Sequence, residues 1–198
     1  LAFKYRTPSM IIADGIIGQM MEKVILPPYR PRRTNDEIRQ QCPWATLGKP
    51  DNRERNVTTS LALEAEEMER TNLRLQAKYK EICENEVRFE AVNCDDADFV
   101  LIAFGSIARV CMSAMEIGRK EGLKIGVLRP ITLYPFPTLK IQELAKKAKG
   151  ILTVELSAGQ MVEDVRLAVN GSIPVEFYGR MGGVVPTPEE VLEQLKKQ

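Results

Sequence analysis

Histidine is absent from the 198-residue sequence, which narrows the chemistry that the chain can perform unaided. His is the commonest general acid or base near neutral pH, and it is the base in most Ser or Cys nucleophile arrangements. The cysteines at 42, 83, 94 and 111 show no C-x-x-C spacing, so neither a zinc nor an iron–sulfur site is expected. We therefore predict no catalytic and no metal-binding residue here, and we expect reduced structural thiols in a cytoplasmic protein.

A long apolar run and an excess of charge are also missing. Glu, Lys, Arg or Pro interrupts every apolar stretch before the roughly 20 residues that a bilayer requires. The net charge is +1, and 44% apolar residues are enough to bury a core. We therefore expect a globular protein that binds neither nucleic acid nor a membrane. Since LAFKYRTPSM has neither an initiator Met nor the layout of a signal peptide, we expect the sequence to begin within a longer protein.

From about residue 96 onward, continuous apolar runs alternate with helical patterns. Continuous apolar runs are typical of parallel strands that helices cover on both faces. A helix start is marked by Thr187 as N-cap, with Pro188 at the first helical position. We predict a three-layer α/β/α domain with a mostly parallel sheet over residues 96–198.

The preceding residues are organised differently. SMIIADG and the IIGQMMEKVI that follows predict one strand and a short helix within residues 1–25, and these two elements need another domain to complete them. Residues 26–95 are predicted to form an irregular connecting arm, rich in Pro, Arg and Asn, and a long amphipathic helix over residues 63–90. Trp44 is the one tryptophan, and we predict that its side chain packs into a neighbouring surface.

A Gly-Gln pair follows an apolar run twice, as Gly18-Gln19 and as Gly159-Gln160. In ELSAGQMVEDVRLAVNG, the second pair lies between a predicted strand and a predicted helix. We predict that Gly159 permits a sharp turn and that the amide of Gln160 bonds a neighbouring backbone. Docking of a subunit or domain is therefore the predicted role of Gln160, and of Gln19 as well.

Three further turns are candidates for anion binding or docking. Gly105 and Ser106 follow the first strand of the predicted domain, but the second and third glycines of a dinucleotide fingerprint are missing. Arg180, among three glycines in GRMGGVVPTPEE, lies in a loop that could cradle an anion or simply connect a strand and a helix. Arg129 precedes the proline-stiffened PITLYPFP, which suits docking against a protein.

The string ADGIIGQ, followed later by Asn35, is superficially similar to the metal-binding signature of thiamine diphosphate enzymes. Ala13 replaces the leading Gly of that signature, and Asp36 replaces its second Asn. We therefore predict no cofactor-binding residue in this chain itself.

Five strings, taken in order, closely resemble the alpha subunits of 2-oxoacid:ferredoxin oxidoreductases, in particular the branched-chain 2-oxoisovalerate type. They are ADGIIGQMMEKV, FGSIARV, LRPITLYPFP, VELSAGQMVEDVRLAVNG and FYGRMGGVVPTPEE. The resemblance implies a complex in which thiamine diphosphate and Mg support decarboxylation of a 2-oxoacid. Electrons would pass through iron–sulfur clusters to ferredoxin, and coenzyme A would take the acyl group.

The resemblance also implies separate roles for three parts of the chain and for partner subunits. Residues 1–25 would be the tail of an upstream pyrimidine-binding domain, residues 26–95 the arm and long helix, and residues 96–198 a transketolase C-terminal-like domain. Beta, gamma and ferredoxin-like subunits would be partners, a homo-oligomer is expected, and the cofactors would belong to the whole complex. This portion would serve assembly and active-site closure and would be inactive alone.

Two alternatives remain open. The chain could be a stand-alone nucleotide- or coenzyme A-binding module that uses Gly105, Ser106 and Arg180. It could also be the C-terminal domain of a transketolase-like dehydrogenase that does not use ferredoxin, with the same fold.

Overall fold

A computed structural model describes residues 1–49, 51–52 and 54–197. Residues 50 and 53 of the predicted arm, and residue 198 of the predicted α/β domain, lie outside the described residues. The chain divides into two compact units, Leu1–Met20 with Leu75–Gln198, and Met21–Arg74. No helix in the described ranges has the length and apolar character needed to cross a bilayer.

Seven helices and five strands are found in the described part of the chain, together with one 3-10 turn. The helices are α1 (Ala2–Tyr5), α2 (Asn35–Gln41), α3 (Ala65–Asn85), α4 (Ser106–Lys120), α5 (Thr138–Ala145), α6 (Met161–Val169) and α7 (Pro188–Leu195). The strands are β1 (Phe89–Val92), β2 (Phe99–Ile102), β3 (Ile125–Pro130), β4 (Gly150–Glu155) and β5 (Val175–Gly179), and the 3-10 turn is Ile17–Gln19.

The strands form one sheet in the order β1-β3-β2-β4-β5. Strands β2 to β5 run parallel, whereas β1 pairs antiparallel with β3 at the edge. In this register Leu101 of β2 lies opposite Val127 on one side and Leu152 on the other. The predicted mostly parallel sheet is confirmed.

Successive side chains of the strands point to opposite faces, and each face is covered by two helices. Leu101 and Leu152 belong to the core cluster that includes residues of α4 and α7. Val100 and Ile151 belong to the cluster that includes residues of α5 and α6. The continuous apolar runs of the sequence arise because both faces of these strands are buried, and the predicted three-layer α/β/α fold is confirmed.

Two helices begin with a reciprocal pair of hydrogen bonds. The Thr187 hydroxyl accepts from the backbone N–H of Glu190, and the Glu190 carboxylate accepts from the backbone N–H of Thr187, as the N-cap prediction requires. Thr34 and Glu37 make the same pair at the start of α2, within the stretch that was predicted to be irregular. The prediction missed α2 because this seven-residue helix buries no side chain and therefore shows no apolar period.

The strand and helix predicted within residues 1–25 are wrong. Residues 8–14 have no regular structure, and the expected helix is reduced to the Ile17–Gln19 turn. The side chains of Met10 and Ile11 are 84% and 95% exposed, because no described strand pairs with this segment. The long helix ends at Asn85 instead of residue 90, and β1 follows it. The sequence shows no apolar pattern for β1, because the side chains of this strand are mostly exposed.

A buried carboxylate ties the first residues to the end of α3. Glu86 is 5% exposed and accepts hydrogen bonds from Lys4 Nζ and the Tyr5 hydroxyl, both at 2.8 Å. Arg88 donates to its other oxygen at 3.2 Å. The hydrogen bonds from Lys4 and Tyr5 lower the pKa of Glu86 to about 2. The charged form of Glu86 is therefore stabilised in the folded chain.

We expect Glu86→Gln to destabilise the protein at neutral pH and to loosen residues 1–7. Because folding lowers the pKa of Glu86 from 4.5 to about 2, its contribution is complete above pH 4.5 and is lost as the pH falls toward 2. The difference in thermal midpoint between the wild type and the variant should therefore shrink steadily below pH 4.5. The control Glu84→Gln removes an exposed carboxylate near the end of the same helix. If the difference in thermal midpoint between the wild type and Glu86→Gln did not change with pH, this account would be contradicted.

Candidate functional site

The connections of the sheet change direction between β2 and β4. From β2 the chain passes through α4 to β3 on one side, and from β3 it passes through α5 to β4 on the other side of β2. In open α/β sheets, such a switch point leaves a crevice outside the carboxyl ends of the strands, where ligands bind. This crevice is the candidate site.

A cavity of about 320 Å³ lies in the crevice. Residues from four segments of the chain line it. They are Phe104, Gly105 and Ile107 after β2, Glu155, Leu156, Ser157, Gln160, Met161 and Asp164 around the start of α6, and Ile12, Ala13 and Asp14 with Leu133. The segment around Asp14 thus forms one wall of the cavity.

The start of α4 is occupied by the carboxylate of Asp14. Ser106 donates to it twice, from its backbone N–H at 3.2 Å and from its hydroxyl at 3.1 Å. The backbone N–H of Ile17 donates to the same carboxylate at 3.1 Å. Gly105 makes the close approach possible, since it adopts a φ of +67° and an added Cβ would lie 3.3 Å from an Asp14 oxygen. The turn between β2 and α4 therefore accommodates an anion from the same chain.

These contacts favour the charged form of Asp14. Desolvation is the largest single influence and raises the pKa, but the hydrogen bonds from Ser106, Ile17 and Ile16 together outweigh it. The net effect is a lowered pKa for Asp14. The positive end of α4 adds to this preference for a negative charge.

The start of α6 is occupied in the same way by Glu155. This residue ends β4, is 2% exposed, and accepts from the Ser157 hydroxyl at 3.0 Å. The backbone N–H groups of Gln160, Met161 and Val162 donate to its two oxygens at 2.9 to 3.3 Å. The carboxylate thus satisfies the first amides of the helix, which otherwise have no intrahelical partner.

Both helix N-termini at the switch point are therefore neutralised by carboxylates of the chain itself. A phosphate group would have to displace Asp14 at α4 or Glu155 at α6 before it could bind there. The crevice is arranged to hold a segment of polypeptide, the one around Asp14, against the carboxyl edge of the sheet. We conclude that this geometry favours docking over the binding of a nucleotide.

The two Gly-Gln pairs lie in different surroundings. Gly159 has a φ of +107°, and an added Cβ would meet Val162 at 3.2 Å and Phe177 at 3.3 Å, so glycine is required at this turn. Gln160 uses its backbone N–H to bind Glu155, while its side chain is exposed and carries no hydrogen bond within the described ranges. Gly18 and Gln19 lie exposed in the 3-10 turn. The amide of Gln160 is thus available to another molecule, and its docking role stays a prediction.

The remaining predicted site residues are not brought together. Arg129 lies in β3 and pairs with Glu90 of β1 at 3.2 Å. Arg180 follows β5 and donates to the Tyr178 hydroxyl at 3.3 Å and to Glu190 at 3.4 Å. Hydrogen bonding to Tyr178 raises the pKa of Arg180. Both guanidinium groups are therefore already engaged inside the chain. Trp44 is half-buried in the unit formed by Met21–Arg74.

Asp14 and Glu155 were both missed as site residues. In the sequence, Asp14 stands out only as part of the string ADGIIGQ, and Glu155 only as the first residue of ELSAGQMVEDVRLAVNG. A signal was present for Glu155, because a carboxylate that ends a buried strand directly before a helix can meet the positive helix end. No local signal could identify Asp14, since its partner Ser106 lies 92 residues away.

The side chains of the described residues do not fit a resident metal ion or cluster. No group of three or more Cys, Asp or Glu residues in that part of the chain is placed to hold a metal. Cys94 and Cys111 lie in core clusters on opposite faces of the sheet, so they cannot share a cluster. The Asp14 carboxylate already accepts from three donors, which a Mg²⁺ ion would have to displace.

Comparison with known proteins relates this domain to a described family. Residues 97–191 match the family described as pyruvate:ferredoxin oxidoreductase core domain II. The matched residues extend from just before β2 into α7, and they include the switch point and both occupied helix starts.

Curated relatives match the chain over its full length. The ketoisovalerate oxidoreductase subunit VorB of Methanothermobacter thermautotrophicus is 44% identical over 100% of the chain and 54% of the relative. The VorB protein of Methanothermobacter marburgensis is 41% identical, with the same coverage. The chain thus spans about half the length of these relatives. Both relatives carry the name VorB, which does not support the alpha designation that was predicted.

A solved structure supports the fold. A 2-oxoglutarate:ferredoxin oxidoreductase from Magnetococcus marinus, with 2-oxoglutarate, coenzyme A and succinyl-CoA bound, matches 69% of this chain and 24% of its own. The TM-score is 0.61 and the sequence identity is 24%, so this likeness concerns the fold alone.

We expect Glu155→Gln to lower the free energy of unfolding by about 2 to 4 kcal/mol, because a neutral amide cannot accept from all the donors that meet there. The control Glu163→Gln removes the same charge from the first turn of the same helix, where the side chain is exposed. Glu163→Gln should lower the free energy of unfolding by less than about 1 kcal/mol. Urea unfolding at pH 7 measures both variants, and equal losses would contradict the role given to Glu155.

We expect Asp14→Ala to release the segment around residues 8–20 while the sheet stays folded, because the carboxylate provides the polar contacts between that segment and α4. Hydrogen–deuterium exchange should show faster exchange at the amides of Ile17 and Ser106, with β4 unchanged. Asp164→Ala is the matched control, since Asp164 lines the same cavity and is exposed. Unaltered exchange in Asp14→Ala would show that apolar contacts alone hold the segment.

Proposed function

We propose that the chain is a portion of a 2-oxoacid:ferredoxin oxidoreductase subunit of the ketoisovalerate type. The complete enzyme would oxidatively decarboxylate a branched-chain 2-oxoacid, transfer the acyl group to coenzyme A and reduce ferredoxin. The observation that carries this proposal is the 44% identity with a ketoisovalerate oxidoreductase subunit over the whole chain. The match of residues 97–191 to core domain II of a ferredoxin-dependent enzyme supports it from the fold side.

Within that enzyme, we assign this portion to assembly and active-site closure. Residues 1–25 would continue a pyrimidine-binding domain, residues 26–95 would connect it, and residues 96–198 would be the docking domain. The occupied helix N-termini support this assignment, because they leave the crevice able to seat polypeptide but without a free anion site. Thiamine diphosphate, Mg, iron–sulfur clusters and coenzyme A would be bound by the assembled cytoplasmic complex.

Other subunits are the proposed partners, and the amide of Gln160 is the proposed contact. Its side chain is exposed beside the crevice, and its backbone is fixed by Glu155. A neutral amide held by a rigid turn can bond another backbone as both donor and acceptor. The apolar side chains of Met181, Val184 and Val185, exposed by 40 to 59% after β5, supply further docking area.

The activity is tested with the chain assembled with its companion subunits. We expect reduction of ferredoxin that requires both a 2-oxoacid and coenzyme A, with kcat/KM for 2-oxoisovalerate at least about tenfold above that for 2-oxoglutarate. The purified 198-residue chain should show no turnover. Turnover by this chain alone would overturn the proposal, and a preference for 2-oxoglutarate would overturn the ketoisovalerate assignment.

The docking role is tested separately by Gln160→Ala. We expect a weaker affinity for the companion subunits, by about tenfold, with an unchanged thermal midpoint, because the lost side chain makes no contact within the fold. Gln142→Ala is the matched control, since Gln142 is also exposed but lies on α5. Equal affinities for the two variants would remove Gln160 from the interface while leaving the activity assignment intact.

A further inference from the structure

Strand β5 leaves one edge of the sheet open, because it is the last strand and pairs only with β4. The backbone N–H of Ile151 donates to the carbonyl of Pro174, and that of Arg180 donates to the carbonyl of Glu155. In a parallel ladder, alternate residues of a strand direct both of their backbone groups toward the same neighbour. The even-numbered residues of β5 therefore bond to β4.

The odd-numbered residues of β5 direct their backbone groups away from β4. They are Val175, Phe177 and Gly179, and no hydrogen bond joins their N–H or carbonyl groups to any other residue that the structure describes. Their donors and acceptors are thus left unpaired in a row along this edge. Such a row can pair with the backbone of another extended chain.

The residues of β5 give this edge little protection. Proteins usually block an open edge with Lys, Pro, a bulge or a covering element. Val175–Gly179 contains neither Lys nor Pro, and its register with β4 advances residue by residue without a bulge. The opposite edge of the sheet differs, since the short strand β1 carries Glu90, which pairs with Arg129. The edge at β5 is therefore the one suited to accept another strand.

The open edge is continuous with the surface proposed above for docking. An added Cβ at Gly159 would lie 3.3 Å from Phe177, so the ring of Phe177 lies beside the turn that carries Gln160. After β5 the chain continues into the exposed side chains of Met181 and Val184. A companion subunit that contacts these groups would therefore also reach the unpaired backbone groups of β5.

We propose that β5 accepts an extended segment of a companion subunit, which joins the sheet as an additional strand. Backbone hydrogen bonds supply the affinity of such a contact, and side chains on alternate residues supply its specificity. The proposal rests on the function proposed above, because it takes the partner to be another subunit of the same enzyme. It adds the element of this chain that the partner binds and the way in which the partner binds.

The side chains of β5 define the chemistry of the partner strand. Val175 and Phe177 share one face of the sheet and are half-buried, so apolar residues suit the positions beside them. Glu176 points to the other face, is exposed and forms no ion pair within the described ranges. A Lys or Arg opposite Glu176 would complete a favourable cross-strand pair. A second copy paired antiparallel through its own β5 is unsuitable, because both Glu176 carboxylates would lie on one face of the joined sheet.

Hydrogen–deuterium exchange, resolved to single residues, tests the added strand on the chain with and without its companion subunits. In the free chain, the amides of Val175, Phe177 and Gly179 should exchange fast, whereas those of Glu176 and Tyr178 should exchange slowly because they bond to β4. In the complex, exchange at the outward amides should slow by at least about tenfold, because each amide gains an acceptor. Unchanged exchange at these amides would overturn the proposal.

Two pairs of variants test the same contact through affinity. Val175→Pro removes one outward N–H at the first residue of the strand, where proline is tolerated, and Val175→Ala loses the side chain but keeps the N–H. We expect the affinity for the companion subunits to fall about tenfold further in Val175→Pro than in Val175→Ala. Glu176→Lys should also weaken the complex, whereas Glu116→Lys, at an exposed position of α4, should not. Equal affinities within both pairs would contradict the added strand.

The exchange pattern and the activity of the complex give separate answers. A complex that reduces ferredoxin while the outward amides stay unprotected would overturn the added strand and leave the proposed function standing. Protected amides in an inactive complex would support the strand and overturn the proposed function. Failure of the chain to assemble with the companion subunits would overturn both. Protection that appears in the chain alone and grows with its concentration would identify a second copy as the occupant, and this too would overturn the proposal.

Discussion

The hydrogen bonds from the start of α6 to the buried Glu155 carboxylate are the contact on which this domain depends most. A charged group loses its hydration when it is buried and is tolerated only when donors replace the water. Three backbone N–H groups and the Ser157 hydroxyl replace it here. They also fix the direction in which α6 leaves the sheet, and with it the positions of Gly159 and Gln160.

A carboxylate also accepts hydrogen bonds at the start of α4, with a different consequence. Asp14 reaches the helix start from a segment far away in the sequence, so its contact joins two parts of the chain instead of two ends of one turn. The segment around it exposes large apolar side chains, and the polar contact to Ser106 holds them beside the carboxyl edge of the sheet. The switch point, which in many α/β proteins receives a small ligand, here receives polypeptide.

The two units expose different kinds of surface. In the first unit the crevice and the turns around it present apolar groups and the exposed Gln160 amide, while the second exposes large apolar side chains such as Ile25 and Tyr29. Within the described ranges, no group of three or more Cys, Asp or Glu side chains is placed to hold a metal ion. The similarity to ketoisovalerate oxidoreductase subunits is the basis for the assembly role proposed for this chain.

Much of the fold could be read from the sequence where burial imposed a pattern. The continuous apolar runs of β2, β3 and β4 indicated a sheet covered on both faces, because no other environment accepts such runs. Prediction failed where burial was slight. The edge strand β1 and the short α2 carry few buried side chains, so their hydrophobic periods are weak.

The sequence by itself therefore determined the three-layer fold, the turn at Gly159 and the N-cap at Thr187, since each depends on residues that are close along the chain or on a repeating pattern. Only the tertiary structure decided that Asp14 closes α4, that Glu86 holds Lys4 and Tyr5, and that residues 8–14 form no strand. These outcomes depend on partners up to 92 residues apart. Long-range polar contacts leave no periodic trace, because any of many donors could have satisfied the same carboxylate.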